Sequence, residues 1–170
     1  MANVSESAVD PKMLASIQGC VQDGIKFLKL EDKVSDPKSL VAAVDAFIFE
    51  WQKGNRPEPE VIDPEDVPYM MGSLWGQQLV DRFNWQWGTI TFHDHGNSKA
   101  VGVLSPDRAL AVYPFHFIVG CCQNPGVDCT IALFFNMMEA GFPAQNAVKP
   151  GDYLNPMDGV HRIVPRSALG

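Results

Sequence analysis

Apolar positions along this chain recur in two periods, and the two divide it into helices, a small sheet and an irregular end. Leu14, Ile17, Val21, Ile25 and Leu28 step by three and four residues, which predicts a helix with one apolar stripe over residues 11–30. Asp10-Pro11 marks its start. The carboxylate can cap free backbone N–H groups, and proline at the first helical position lacks only a hydrogen that has no partner there. Asp36-Pro37 repeats the signal ahead of Leu40, Val41, Val44, Phe47, Ile48 and Trp51, and Gly54-Asn55 supplies a stop. A third pair, Asp63-Pro64, follows. Beyond the shared pair the three segments have little in common, so capping chemistry explains them without an internal repeat.

The prolines in RPEPEVIDPEDVP make residues 56–68 a connector, because they disfavour a regular helix through it. The helix predicted next, over 67–83, organises the rest. Val67, Met71, Trp75, Leu79 and Phe83 follow four-residue steps, Met70 and Leu74 widen the stripe, and Gly72 and Gly76 form a second stripe without side chains. Glycine costs about 1 kcal/mol against alanine inside a helix. Two at this spacing predict a close approach of other parts of the chain to the helix backbone.

From Trp85 to Tyr113 the period drops to two, which predicts a three-stranded antiparallel meander. A tight turn at residues 95–98 and a second at 105–108 set Phe92 opposite Val101 and Ile90 opposite Val103, with Val112 and Leu110 alongside. That would be the core face. The other face would carry Trp85, Trp87, Thr89 and Thr91, then Ala100, Gly102, Leu104, Ala109, Ala111 and Tyr113: a shallow trough of small residues rimmed by aromatics, either covered by a helix, as a layered fold requires, or open as a binding surface. A short helix at 114–123 and a last one at 129–140, capped by Asp128, complete the pattern. The rest is an irregular tail that wraps the surface through Tyr153, Leu154 and Met157. The expected fold is a single α+β domain: an N-terminal helical part (1–62), a helix, meander and helices (63–141), and the tail (142–170).

Composition suits this. With 170 residues and 46% hydrophobic content the chain can bury a core of its own. The net charge of −7 is local. Residues 31–66 hold ten acids against Lys33, Lys38, Lys53 and Arg56, and so carry −6 of it. Such a surface argues against nucleic acid and anionic membranes, which need clustered cations. Its plain reading is a solvated face; its sharper reading is a docking surface for a basic protein. The opening MANVSESAVD has neither a basic start nor an apolar run, and no stretch approaches a membrane span. Cys20, Cys121, Cys122 and Cys129 form no spaced framework. A cytoplasmic protein with reduced thiols is expected.

Candidate chemistry is sparse. His93 and His95, two apart on a strand, would put both imidazoles on one face, as metal sites do; polar residues beside a turn are the plainer account. His116 and Cys121 are the types of a thiol–imidazole pair, yet five helical residues separate them by about 140°. Ser105, Asp107 and His116 are triad types with Ser105 in an ordinary turn. No phosphate-binding loop, nucleophile elbow or dinucleotide fingerprint is present, and no cofactor is expected.

The runs SLWGQQLVDRFNWQWG and VGVLSPDRALAVYPF resemble a small bacterial domain family of uncharacterised function, with a Gly-bearing helix, a Trp-rich strand, a Ser-Pro-Asp turn and a Tyr-Pro-Phe end, over about residues 70–135. The resemblance implies an α+β fold and a bacterial origin, and carries no catalytic residue. The expected function is therefore a non-enzymatic protein-binding module, with an immunity or antitoxin-like role in view. Trp85, Trp87, Thr89 and Tyr113 are its candidate face, and its partner is a basic protein or a second copy joined through a helix face or the open edge of the third strand. The competing class is a metal-assisted hydrolase using His93 and His95.

Overall fold

The helix Val67–Phe83 (α3) stands at the centre of the molecule, and the sequence stripe explains why. Val67, Met71, Leu74, Trp75 and Leu79 are all completely buried, each worth roughly 1.5–3 kcal/mol of apolar transfer. Helices Pro11–Phe27 (α1), Pro37–Gln52 (α2) and Pro114–Gln123 (α4) pack around it, and Ile131–Glu139 (α5) packs on α2. The computed structural model describes residues 3–164 and 166. Met1, Ala2, Pro165 and the chain's last four residues lie outside them.

The local signals act as expected at the first two helices. Asp10 accepts from the backbone N–H groups of Lys12 and Met13. Asp36 accepts from the N–H and hydroxyl of Ser39. Asp63 caps only a turn, accepting from Glu65 N–H, and α3 begins three residues after Pro64 with no side-chain cap. Asp128 caps no helix either. Thr130 occupies the N-cap of α5, while Asp128 accepts from Arg162 N–H and pairs with its guanidinium.

Both glycines of α3 serve close packing. A Cβ on Gly72 would lie 2.7 Å from the Phe115 ring and 3.2 Å from its backbone nitrogen, and Gly76 opens on Trp87 and Pro114. On another side of α3, Gly24 of α1 lets Met70 and Leu74 come within 3.3 Å of where a Cβ would stand.

The sheet corrects two expectations. It has four antiparallel strands, not three, in the order β1-β2-β3-β4: Val4–Ser7, Gln86–Phe92, Ser98–Leu104 and Ala111–Val112. The unforeseen first strand pairs with β2, Val4 opposite Phe92. The register between β2 and β3 also differs. Phe92 pairs with Ser98 and Ile90 with Ala100, so the hairpin loop is longer than a tight turn. Residues 93–95 form a turn of 3-10 helix, and Gly96 and Asn97 both adopt positive φ before β3 begins. The slip is three residues. An odd slip exchanges faces, and it parts Ile90 and Phe92 from Val101 and Val103.

One face therefore carries Trp87, Val103 and Val112 into the main core against the helices, and Trp85 joins them. The other holds a smaller cluster of Ile90, Leu104 and Ala111, flanked by Val4, Phe92, Tyr113 and Tyr153. The tail closes what was expected to be an open edge: Ala111 N–H donates to Leu154 C=O, and Leu154 N–H to Ala109 C=O. Met157 and Val160 are buried beyond it. Among the described residues, no helix is long and apolar enough to cross a membrane.

Candidate functional site

An open groove runs between α1 and α3. Cavities of about 600 and 350 Å³ adjoin there, with Gln18 and Gln77 lining both. Val21, Ile25 and Leu40 line the first, and Val9, Trp85 and Trp87 the second. Helical spacing explains the walls. Gln18 and Gln22 stand one turn apart on α1 and are exposed; Gln77, Gln78 and Asp81 face them from α3.

The α3 glutamines differ in their commitments. Gln77 is bonded at both ends, its Oε1 accepting from the Trp87 indole N–H at 3.1 Å and its amide donating to Asp81 at 2.9 Å. Gln78 is 2% exposed and donates to Leu74 C=O at 3.1 Å, but its Oε1 has no hydrogen-bond partner. Buried polar atoms without partners are rare in folded proteins.

Of the expected binding face, Trp85 is buried and Trp87 half-buried, stacked on Phe115 with ring centroids 5.8 Å apart. A helix, not open space, occupies that side of the sheet. Thr89 shares the face of Trp87, whereas Tyr113 lies on the opposite one, packed against Phe92. The trough is thus not one surface. Burial pushes the Tyr113 hydroxyl up to about 12, with the nearby Tyr153 adding to the shift.

His93 and His95 lie in the hairpin's 3-10 turn, not on a strand. The His93 ring nitrogens sit 2.8 Å from Asn97 Oδ1 and 3.0 Å from Ser5 Oγ, which ties the hairpin to β1. His95 meets the Phe92 ring edge-on. Among the described residues, no three His, Cys, Asp or Glu side chains come together as a metal site would need. His116 is exposed and Cys121 buried, on different sides of α4. Ser105 donates to Asp107 and accepts from Leu110 N–H, which braces the turn.

All four cysteines are free. Burial pushes the Cys122 thiol up to about 11. Hydrogen bonding with Cys121, burial and the charge of Asp45 together raise Cys129 far beyond the usual thiol range. Cys122 and Cys129 are thus held protonated, the opposite of what a nucleophile needs.

Two polar clusters are structural. Asp45, 2% exposed on α2, accepts from Ala132 N–H at 2.9 Å and from Arg166, with Arg162 3.9 Å away, and so anchors the tail. Glu6 on β1 accepts from Arg108 and from the Tyr153 hydroxyl, joining the first strand, a turn and the tail.

The groove residues were overlooked because carboxamides carry no catalytic motif. One signal was readable: Gln78 follows Leu74 by four residues in the stripe of Met71 and Leu74, a polar side chain at a core position. Comparison with family models, curated protein sequences and solved structures finds no match, so the resemblance over residues 70–135 stands on its motifs alone.

Proposed function

We propose that this chain is a non-enzymatic protein-binding module and that its partner docks in the groove between α1 and α3. One observation carries the reading: apolar side chains and the carboxamides of Gln18, Gln22, Gln77 and Gln78 line the groove between α1 and α3. Ligand sites combine apolar lining with a few placed polar groups in this way. Trp85 and Trp87, expected as anchors on the sheet, border the groove instead.

A basic partner suits the charge. Glu31, Asp32, Glu58, Glu60, Asp63, Glu65 and Asp66 are exposed, and the ion pairs among the described residues involve none of them. Complementary charge speeds encounter and rejects wrong partners. An immunity or antitoxin-like role is one setting for such a binder.

The test is affinity capture from the native host with wild type and a Gln18→Ala/Gln22→Ala double variant. Both side chains are exposed, so the variant should melt within a degree or two of wild type. A protein recovered by wild type and lost with the variant, in a salt-dependent manner, is the expected result. Equal recovery of every protein by both would remove the groove as the docking site.

A further inference from the structure

We infer that the free edge of the sheet pairs with a second copy of this chain, β1 against β1 in antiparallel sense about a two-fold axis at Ser5, so that two four-stranded sheets become one. The groove plays no part in it. The two edges of the sheet differ. The tail covers β4, with Leu154 bonded to Ala109 and Ala111. Among the described residues no such segment covers β1, whose main neighbours are β2 and the hairpin turn, and Ser5, Glu6 and Ser7 are exposed. The hydrogen-bonding phase of this edge follows from its register. His93 N–H donates to Asn3 C=O, and Val4 stands opposite Phe92. Antiparallel ladders alternate, so Ser5 and Ser7 bond inward to Thr91 and Thr89, while the N–H and C=O groups of Val4 and Glu6 point away from β2. Among the described residues, no backbone hydrogen bond outside the ladder uses these groups. Such a row is a template for another strand.

The strand's own chemistry selects a like strand. Edges are ordinarily guarded by charge, proline, a bulge or a covering segment. β1 has no proline, and its pairing with β2 is unbroken from Val4 to Ser7. Its one charge is neutralised in place: both carboxylate oxygens of Glu6 accept from Arg108, and the Tyr153 hydroxyl donates to one of them as well. Glu6 therefore neither repels a second β1 strongly nor selects a cationic segment. The edge is also its own complement. With Ser5 on the axis, Val4 of one copy faces Glu6 of the other, and the two such pairs use every outward N–H and C=O of the strand. A shift of two residues would set Glu6 against Glu6, which like charges disfavour. On the face of Phe92 and Ile90, Val4 then lies beside Glu6 of the other copy, and on the opposite face the two Ser5 side chains meet without crowding.

A strand of four residues is far short of the roughly 20–30 residues a side of a standard interface, so the dimer is weak and reversible, with a dissociation constant on the order of 0.1–1 mM. Sedimentation velocity of the full-length protein up to about 1 mM should show a monomer–dimer equilibrium. Salt should strengthen it, because two chains of net charge −7 repel. Amide hydrogen exchange should slow with concentration at Val4 and Glu6 and change little at Ser5 and Ser7, which β2 already holds. Val4→Pro removes one outward donor without touching the ladder to β2; it should stay monomeric throughout and melt within a few degrees of wild type. A cross-link reads the register. Ser5 and its copy form a non-hydrogen-bonded pair with Cα atoms about 4.5 Å apart, within disulfide range. In a Cys20→Ser/Cys122→Ser background, which removes the two partly exposed thiols, Ser5→Cys should form a covalent dimer with oxidised glutathione, which takes up the two electrons and two protons and leaves as two thiols. Ser7→Cys, which stands opposite Asn3 of the other copy, should not.

A wild-type protein monomeric at every concentration, an undiminished dimer in Val4→Pro, or equal cross-linking of Ser5→Cys and Ser7→Cys would each overturn the inference. Should Val4→Pro not fold, the amide protection and the pair of cross-links still decide. Gln18→Ala/Gln22→Ala should dimerise as wild type does; loss of the dimer there would place the contact at the groove and overturn the pairing through β1.

Discussion

Trp87 reaches across the groove's end to lie over Gly76, where a side chain on that glycine would stand 2.7 Å from the indole Cζ2 and 3.1 Å from Pro114 Cγ. The indole is held there on both sides, stacked on Phe115 at an interplanar angle of 16° and hydrogen-bonded to Gln77. Gly76 thus sets how closely the sheet and α4 approach α3.

Gly76→Ala should therefore destabilise the protein although alanine is the better helix former. The propensity gain is about 1 kcal/mol, against an overpacking cost of about 1–3 kcal/mol with displacement of a ring that is pinned on two sides. Gly19→Ala is the control: nothing lies within 4 Å of its Cβ on α1, so it should stabilise by about 0.4–1 kcal/mol. Urea unfolding of the pair reads opposite signs. Two shifts of the same sign would disprove the packing account.

Asp45 is the tail's anchor, so Asp45→Ala should release the segment around Arg162. Loss of the buried carboxylate strands Ala132 N–H and takes Arg166's carboxylate partner away, while Arg162 keeps Asp128, at a cost of about 3–5 kcal/mol for breaking a buried pair. Limited trypsin digestion with mass spectrometry should show cleavage after Arg162 well before the rest of the chain is cut. A wild-type cleavage pattern would show that the tail's other contacts, among them Arg162 on Asp128 and the buried Met157 and Val160, hold it without Asp45.

The Glu6 cluster predicts acid sensitivity with a defined sign. The Arg108 hydrogen bond, and behind it that of the Tyr153 hydroxyl, holds the Glu6 carboxyl below its ordinary 4.5 despite opposing desolvation. A carboxyl lowered in the folded state contributes stability above its unfolded value and loses it as pH falls through the folded one. Glu6→Gln should thus be less stable than wild type at pH 6, with the gap closing as pH drops below about 4.5. Urea midpoints from pH 6 to pH 3 measure it; a gap constant across that range would rule out Glu6 ionisation as its source.

How much was legible depended on the range of the interaction. Asp10 and Asp36 bond to groups two and three residues away, so their helices could be read from a few letters. The stripe of α3 and the close approach at Gly72 and Gly76 followed from helical periodicity, since a fixed 3.6-residue turn assigns every residue a side. Strand register had no such constraint. It depended on a five-residue loop held by His93 bonding to Asn97 and to Ser5, 88 residues distant in the chain, and an odd slip there moved Ile90 and Phe92 to the other face. The first strand was missed for the same reason: VSES is short and polar, and only its pairing with β2 makes it a strand.

By itself, then, the sequence determined the helices, the central place of α3, the mixed α and β class and the acidic surface, because local spacing and composition carry them. The tertiary structure alone decided which sheet face the helices cover, that Asp45 collects Arg162 and Arg166 from the far end of the chain, and that glutamines from α1 and α3 share one groove. Each of those relations joins residues distant in sequence, whose meeting is set by how preformed elements pack and not by any pattern along the chain.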